Sequence, residues 1–284
     1  MSATYADGYR AGTVSFFYGE QATEKAKAFG ESSVLRARKK LRAVNAPDYS
    51  EVLIETVGDE AEYGEYAQQT TSRSVAVKVA VKHEDVKAAG LLLKELTGHG
   101  LAAPPGLSGF AGGRAKPTPV LKLFSFTIPK EQVEISIDLG DGPVDFEDAV
   151  GAAFEISNLK RASGPDAPGS GDGTIPLIKL AWARSGDKGD KANIGVLPRK
   201  KEYTPYIWAA LTEQEVQNRF EHFLKGKVSR YYLPGTGAIN FVLDKVLGGG
   251  GVASLRNDPQ GKGYSQILLQ TPIPVPASLL DALS

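Results

Sequence analysis

Apolar and polar residues alternate in short runs through the first half of the chain, and longer segments with helical spacing separate these runs. The alternation is clearest between residues 75 and 81, and a period of two is typical of a half-buried strand. The order of elements is β-α-β-β-α-β, in which two helices cover one face of a four-stranded antiparallel sheet. The predicted strands are residues 12–18, 51–57, 73–81 and 120–128, and the predicted helices are residues 20–43 and 83–96.

A segment without any apolar residue larger than alanine divides the pattern into two halves. It runs from residue 163 to 173, and its Gly, Pro and Ser content is typical of a flexible linker. We therefore expect two domains, residues 1–160 and 175–284, joined by a linker at residues 161–174. The second half is predicted to contain strands at 178–183, 193–197 and 227–232, helices at 205–224 and 237–246, and an edge strand within the apolar tail at 264–276.

Composition narrows the class of protein without identifying it. The 284 residues carry 33 basic and 33 acidic side chains, so nothing favours non-specific binding of nucleic acid. The absence of cysteine excludes disulfides, thiolate metal sites and cysteine nucleophiles. No window approaches about 18 consecutive apolar residues, and the first residues do not resemble a signal peptide. We therefore expect a cytoplasmic protein that binds neither membranes nor nucleic acid.

The segment from residue 183 to 196 concentrates polar side chains between two apolar runs. A hairpin closes with two or three residues, so these charges and glycines predict a longer, functional loop. Its cations and backbone N–H groups suit a carboxylate, a phosphate or the diphosphate of coenzyme A, and a solvated surface turn is the alternative. Two aspartates between lysines make a poor Mg²⁺ or Ca²⁺ cage, so we expect no metal site. The polar residues are Arg184, Ser185, Asp187, Lys188, Asp190, Lys191 and Asn193.

Four consecutive glycines, residues 248–251, form a second candidate site. Glycine destabilises helices and strands, so the run is either an anion cradle that works with Ser254 and Arg256 or a flexible hinge. It lacks the residue order of a phosphate loop and of a dinucleotide site. Asn240 lies on the predicted helix before this run, where its amide either orients a substrate carbonyl or serves as a capping or interface residue.

The three histidines, His83, His99 and His222, lie far apart, and none has metal-binding spacing. We place His222 on an exposed helix face and consider His99, between two glycines, a candidate acid–base group. The Gly-, Pro- and Ala-rich segment 98–119 is long for a loop inside a domain. Its part at residues 106–114 either approaches a ligand or is a solvated loop.

Several motifs occur in a fixed order: the 183–196 segment, Tyr232-Leu233-Pro234, residues 237–243, the glycine run at 247–251, and residues 254–262. Together they resemble the C-terminal domain of acyclic terpene utilisation proteins of the AtuA type. The part that begins at Asp7-Gly8-Tyr9-Arg10 is similar to the region that precedes this domain in the same family. The resemblance implies an α+β protein with two ferredoxin-like α/β sandwich domains joined by the Gly/Pro-rich linker.

The resemblance also implies a role in degrading branched, acyclic isoprenoid acids. Coenzyme A enters this expectation only as part of a thioester substrate, and no other cofactor is expected. Typical family members carry a large α/β domain upstream that this sequence lacks. We therefore expect a separate partner subunit that supplies this domain within a hetero-oligomer.

On this basis we expect a subunit of a hydratase- or lyase-type enzyme that acts on a branched, unsaturated acyl substrate. The cations of the 183–196 segment would hold the anionic part of the substrate, and one of its aspartates would act as general base. A non-catalytic assembly or ligand-binding subunit is the alternative, because exposed sheet edges pair with other chains. The catalytic candidates are Asp187, Asp190 and Ser185, and the substrate-binding candidates are Arg184, Lys188, Asn193, Asn240, Gly249, Gly250 and Arg256.

Overall fold

Two hydrophobic cores organise the chain, one formed within residues 11–96 and the other within residues 175–275. We call them the N-terminal core and the C-terminal core. The first contains a five-stranded antiparallel sheet and two helices, and the second contains four-stranded and two-stranded antiparallel sheets with short helices, so the protein is α+β. The structure is a computed structural model, and it describes residues 1–69, 71–109, 113–146, 151, 155–169 and 171–283.

The N-terminal core has the predicted β-α-β-β-α-β order, except that its last strand is in two pieces. The elements are β1 (Ser2–Tyr18), α1 (Ala22–Ala43), β2 (Glu51–Val57), β3 (Ser74–His83), α2 (Val86–His99), β4 (Leu107–Gly109) and β5 (Thr118–Ser125). The sheet has the order β2-β3-β1, and both β4 and β5 pair with the outer side of β1. Strand β2 therefore forms one edge of the sheet.

The two helices cover one face of this sheet. Val77, Val79 and Val81 of β3 pack with Phe29 of α1 and Leu92 of α2, and all five are at most 2% exposed. The regular alternation of β3 is therefore a burial pattern, as predicted from the sequence. The intervening residues of β3 face away from the helices.

The segment between the cores has little regular structure. Beyond β5 its described residues form a short hairpin, β6 (Ile137–Asp138) with β7 (Pro143–Val144), and two 3-10 turns, Lys130–Gln132 and Ile156–Asn158. Of the predicted linker, residues 173 and 174 belong to strand β8 (Gly173–Pro176), and residue 170 lies outside the described residues. Of the glycine-rich stretch 106–114, residues 107–109 form β4, and residues 110–112 also lie outside the described residues.

The C-terminal core consists of a four-stranded sheet whose buried face packs against short helices. Its further elements are α3 (Leu177–Leu180), β9 (Ala181–Lys188), β10 (Lys191–Pro198), α4 (Thr204–Ala210), α5 (Glu213–Phe220), β11 (Val228–Leu233), β12 (Ala238–Leu243), α6 (Tyr264–Leu269), β13 (Pro272–Val275) and α7 (Ala277–Leu283). The strand order is β11-β12-β10-β9, and β13 pairs with β8. Across the described ranges, no helix is long and apolar enough to cross a membrane.

Residues 237–246, predicted as a helix, contain strand β12 instead. Ile239, Phe241 and Leu243 are fully buried, whereas Asn240 and Val242 between them are partly exposed. The apolar residues therefore recur with a period of two, which a helix cannot place on one face. The helix prediction for this segment was wrong, and Asn240 lies in a strand.

Other element predictions in the C-terminal core also need correction. The single helix predicted at 205–224 is two helices, because Thr212 interrupts it and accepts a hydrogen bond from the Glu215 N–H at 3.0 Å, which makes it an N-cap. The tail forms α6 before its short strand, and residues 178–180 form a helical turn rather than the start of a strand.

The charged segment is a tight hairpin rather than the long loop that its composition predicted. Strand β9 ends at Lys188 and β10 begins at Lys191, so the turn consists of Gly189 and Asp190. Gly189 has a φ of 69°, which is a left-handed conformation that glycine adopts without steric penalty. The charged residues therefore lie on two strands, where neighbours along the chain point to opposite faces.

The glycine-rich segment of the C-terminal core covers the helix-free face of the N-terminal sheet. Arg10 donates through Nη1 to the carbonyl oxygens of Val252 at 3.1 Å and Ser254 at 3.3 Å. Lys78 donates through Nζ to the carbonyl oxygen of Arg256 at 2.9 Å. The two cores are therefore joined by hydrogen bonds from side chains of one core to the backbone of the other.

Candidate functional site

A cleft of about 610 Å³ opens between the two cores, beside the edge strand β2. The N-terminal core contributes Lys27, residues 53–57 and residues 61–63 to its walls. The C-terminal core contributes residues 222–223, residues 256–258 and four residues between 263 and 267. Because both cores supply a wall, the cleft exists only when they are packed together.

The walls of this cleft are largely apolar. Leu53, Ile54 and Val57 line the side formed by β2, and Phe223 and Ile267 line the opposite side. Small-molecule sites typically combine such apolar walls with a few polar groups that fix the orientation of the ligand. The polar groups here are the side chains described next.

Glu55 places a carboxyl group in the β2 wall. It lies directly opposite Lys78 in the β2–β3 pairing, and its Oε2 accepts a hydrogen bond from the Asn257 N–H at 2.7 Å. Burial raises the pKa of Glu55, although the Asn257 hydrogen bond and the charge on Lys78 oppose the rise. A carboxyl group with a raised pKa retains its proton closer to neutral pH, which suits proton transfer.

His222 lies on the opposite wall. Its Nε2 is 2.9 Å from the carbonyl oxygen of Glu62, and because a carbonyl only accepts, Nε2 is the nitrogen that carries the proton. Burial lowers the pKa of His222, which favours the neutral ring with Nδ1 as its basic nitrogen. Gly64 packs so closely that a Cβ there would lie 2.6 Å from Nδ1, so this loop fixes the position of the ring.

Arg256, a predicted substrate-binding residue, lines the cleft but is held by the protein. It donates to the carbonyl oxygens of Val246 and Phe223 and to the hydroxyl of Tyr264, and its guanidinium lies 4.5 Å from the centre of the Phe223 ring. Burial raises the pKa of Tyr264 to about 12, so its hydroxyl stays protonated and donates to the Val246 carbonyl. These two side chains therefore shape the wall of the cleft.

The predicted catalytic residues Ser185 and Asp187 lie on the buried side of β9, next to α6. Ser185 Oγ donates to the carbonyl oxygen of Lys262 at 3.1 Å and accepts from the Ser265 N–H at 2.9 Å. One carboxylate oxygen of Asp187 is 4.0 Å from Lys262 Nζ. Neither residue lines the inter-core cleft, and the contacts of Ser185 connect β9 to the start of α6.

Asp190, Gly249 and Gly250 form a contact between the hairpin turn and the glycine run. Asp190 Oδ1 accepts a hydrogen bond from the Gly249 N–H at 2.8 Å. Gly249 and Gly250 have φ values of 96° and 99°, and a Cβ on Gly250 would lie 3.3 Å from the carbonyl oxygen of Gly189. Glycine at these positions therefore permits close backbone packing.

Four of the predicted substrate-binding residues do come together, on the open face of the C-terminal sheet. Arg184 and Asn240 flank Gly195 in register, and Asn193 Nδ2 donates to Asn240 Oδ1 at 3.2 Å. Lys188 lies on the same face, and its Nζ donates to the carbonyl oxygen of its neighbour Asp187 at 2.8 Å. This face is separate from the cleft, because none of these residues lines it.

His99 is the last residue of α2 rather than part of a turn between glycines. Its ring stacks on Phe29 with 5.5 Å between ring centres, and its Nε2 is 2.7 Å from Ser32 Oγ. These contacts place it between the two helices, on the side of the sheet opposite the C-terminal core. Within the part of the chain that the structure describes, no group of three or more His, Asp or Glu side chains is arranged to hold a metal ion.

The sequence pattern did not single out the cleft. His222 was expected on a helix face, but it follows α5, which ends at Phe220, and it faces the first core. Glu55 was predicted only as a residue of the strand at 51–57, with no functional role. A carboxylate in the middle of an apolar strand was the one available signal, and its meaning depended on a wall that is about 200 residues away in the chain.

Two family models match successive parts of the chain. Residues 1–139 match the model described as acyclic terpene utilisation family protein AtuA, and residues 175–274 match that of the AtuA ferredoxin-like domain. No curated protein and no solved structure matches the chain. The first match contains all of the N-terminal core, and the second contains nearly all of the C-terminal core.

Proposed function

The chain belongs to the AtuA-type family of acyclic terpene utilisation proteins, and on that basis we propose that the inter-core cleft binds a branched, unsaturated acyl group of the isoprenoid type. The reaction proposed is of the hydratase or lyase type, in which water is added to or removed from a carbon–carbon double bond. One observation carries the proposal: Glu55, a carboxyl group with a raised pKa, lies in the apolar wall of the cleft.

The size and lining of the cleft support the substrate class. Its volume of about 610 Å³ is within the range of small-molecule sites. Branched hydrocarbon chains bind through burial of apolar surface, and the five apolar side chains of the two walls offer such surface. The substrate enters this proposal as a free acid or as its coenzyme A thioester.

The two polar side chains divide the proton transfers between them. For hydration, His222 Nδ1 takes a proton from water while the water oxygen bonds to the β-carbon of the substrate. Protonated Glu55 gives its proton to the α-carbon, and the double bond becomes a single bond. Transfer of the proton from His222 to Glu55 through solvent restores both groups, and the reverse steps remove water.

The test is turnover of a 3-methyl-branched, ten-carbon 2-enoic acid and of its coenzyme A thioester by the purified chain. Glu55→Gln keeps the size of the side chain and an oxygen acceptor for the Asn257 N–H but removes the transferable proton. We expect its kcat to fall by about 100-fold or more. His222→Gln is expected to give a loss of similar size.

Lys188→Met and Asp187→Asn provide the contrast, because they change the hairpin and leave the cleft intact. Full turnover in both variants together with loss in Glu55→Gln would support the cleft as the site. Loss in the hairpin variants with normal rates in Glu55→Gln would move the reaction to the hairpin, where the sequence first placed it. Thermal unfolding of each variant separates chemical effects from misfolding.

A second function, that of an assembly subunit, has its own supporting observation. Trp182, Leu197 and Leu233 are 52%, 44% and 46% exposed on the same open face as Arg184. Apolar surface of this kind is typical of contact with another chain. We propose that this face contacts a second subunit in a hetero-oligomer, and native mass spectrometry after co-expression with neighbouring genes tests for it.

A further inference from the structure

The open face of the C-terminal sheet is organised in rows by its strand register. At one end of the face Trp182 pairs with Leu197, and Leu233 pairs with Ala238. The next row runs Arg184, Gly195, Asn240, Tyr231, and the third runs Gly186, Asn193, Val242, Ser229. Apolar side chains therefore lie at one end of the face, and amides and glycines lie in its centre.

Positive charge lies at the other end. Lys188 and Lys191 are register partners beyond the third row, and Lys262 reaches the same region, with its Nζ 3.1 Å from where a Cβ on Gly186 would lie. Of these cations Lys191 pairs with Asp244, and Lys262 Nζ lies 4.0 Å from a carboxylate oxygen of Asp187. No strand residue on this face is acidic.

Arg184 is the most available of the cations. Its side chain is exposed and makes no hydrogen bond or ion pair with any residue that the structure describes. Trp182 lies on the same face, and the guanidinium of Arg199 packs over its ring, 4.6 Å from the ring centre. The face thus presents unpaired positive charge next to an exposed aromatic ring, the combination that is enriched at protein interfaces.

From this arrangement we propose that the open face of the C-terminal sheet docks an acidic protein surface, in which carboxylates meet Arg184 and Lys188 and an apolar side chain covers Trp182. This inference specifies the partner contact of the assembly function proposed above. It does not depend on chemistry in the inter-core cleft.

The charge of the face decides between possible occupants. A second copy packed face to face would bring together two surfaces whose strands carry basic and no acidic side chains, because a two-fold interface matches a surface with itself. A lipid surface suits apolar side chains that protrude with cations around them. Here the apolar row lies beside the cations on the sheet face itself, and the Asn193–Asn240 pair adds hydrogen-bonding groups, so a protein surface fits best.

Trp182 provides a direct reporter, since the chain has only two tryptophans. The wild type and Trp182→Phe are titrated with a 15-residue peptide of alternating Glu and Leu, and the difference between their emission spectra isolates Trp182. We expect a saturable blue shift that 0.5 M NaCl abolishes. In Arg184→Glu/Lys188→Glu we expect binding to weaken by at least tenfold.

The matched control is Lys39→Glu/Lys94→Glu, which makes the same change in net charge on exposed positions of α1 and α2. It should bind like the wild type. No saturable shift, or equal weakening in the control, overturns the proposal. A shift with anionic vesicles or duplex DNA but not with the acidic peptide also overturns it, in favour of a membrane or nucleic acid.

Discussion

The two sheets differ most on the faces that their helices leave free. On the N-terminal sheet, Arg10 and Lys78 donate to backbone carbonyls of the glycine-rich segment. On the C-terminal sheet, Arg184 makes no such bond within the described residues, and Lys188 reaches only the carbonyl of its neighbour. One chain therefore contains a covered basic sheet face and a largely uncovered one, on which the guanidinium of Arg161 lies 4.7 Å from the centre of the Tyr231 ring.

The covered face shows what such a surface can accept. Its floor is made of small residues, since a Cβ on Gly12 would lie 2.7 Å from the Cβ of Ala80, and a backbone with oxygen acceptors lies over it. The uncovered face has a similar floor at Gly186 and Gly195 and similar cations at its side. The likeness of the two faces supports the proposal that the uncovered face docks a partner, as the covered face accepts the glycine-rich segment.

The largest expected contrast is between Arg256 and Arg184. Replacing Arg256 with methionine removes three hydrogen bonds to Val246, Phe223 and Tyr264, so the free energy of unfolding should fall by about 3 kcal/mol. Arg184→Met should change it by less than about 0.5 kcal/mol. Urea unfolding measures the free energy of unfolding of both variants. Equal losses would contradict the proposed difference between the covered and the open face.

The glycines of the two faces should also behave differently. Gly249 has a φ of 96°, so alanine there is strained and should reduce stability by about 2 kcal/mol. A Cβ on Gly195 meets only the Arg184 carbonyl oxygen, at 4.0 Å, so alanine there should be neutral or stabilising by up to about 1 kcal/mol. Thermal unfolding of the two variants tests this prediction. A large loss of stability in Gly195→Ala would mean that other atoms pack against the open face in solution.

A smaller contrast is expected between Lys78 and Lys188. Lys78→Met removes a charged hydrogen bond across the cores and the cation opposite Glu55, and should lower the free energy of unfolding by about 1 to 2 kcal/mol. Lys188→Met should lie within about 0.5 kcal/mol of the wild type. Chemical denaturation of the two variants at one salt concentration compares their free energies of unfolding. Similar losses of stability in both would contradict the prediction.

The smallest effect is a pH dependence that comes from Glu55. Because burial raises its pKa in the folded state, the folded protein prefers the protonated form, and this preference is lost as pH rises through the raised value. Glu55→Gln remains neutral at every pH. Its stability relative to the wild type should therefore increase as pH rises above about 4, the ordinary pKa of a glutamate. Urea midpoints measured at rising pH test this, and a constant difference would show that the pKa of Glu55 is not raised.

The N-terminal core was predictable because its signals are local. The alternation of β3 and the apolar periodicity of the two helices are visible in the sequence, and they predict which segments are strands or helices and in what order they occur. The charged segment was predicted as a loop because most of its side chains are polar. In the structure its residues alternate as in any strand, so Arg184 and Lys188 lie on one face and Ser185 and Asp187 on the other. The same period was present but overlooked in β12, where Asn240 interrupts the apolar residues.

The cleft could not be predicted from local patterns. Glu55, His222 and Arg256 become neighbours only when the glycine-rich segment lies across the first sheet, and no spacing rule connects residues that far apart. By contrast, Arg184, Lys188 and Asn193 belong to one motif and were predicted to act together. Asn240 was predicted on a helix beside the glycine run, and its position next to Asn193 depends on the pairing of β10 with β12, which the local sequence does not show.

The way the glycine-rich segment covers the first sheet sets a limit on truncation. A fragment that stops at residue 139, where the first family match ends, would keep its own apolar interior but leave Arg10 and Lys78 facing water over a glycine floor. The second matched segment alone would lose the surface on which its four-glycine run rests. The expressed protein should therefore contain both segments, on one polypeptide or as two co-expressed pieces, because side chains of the first donate hydrogen bonds to the backbone of the second.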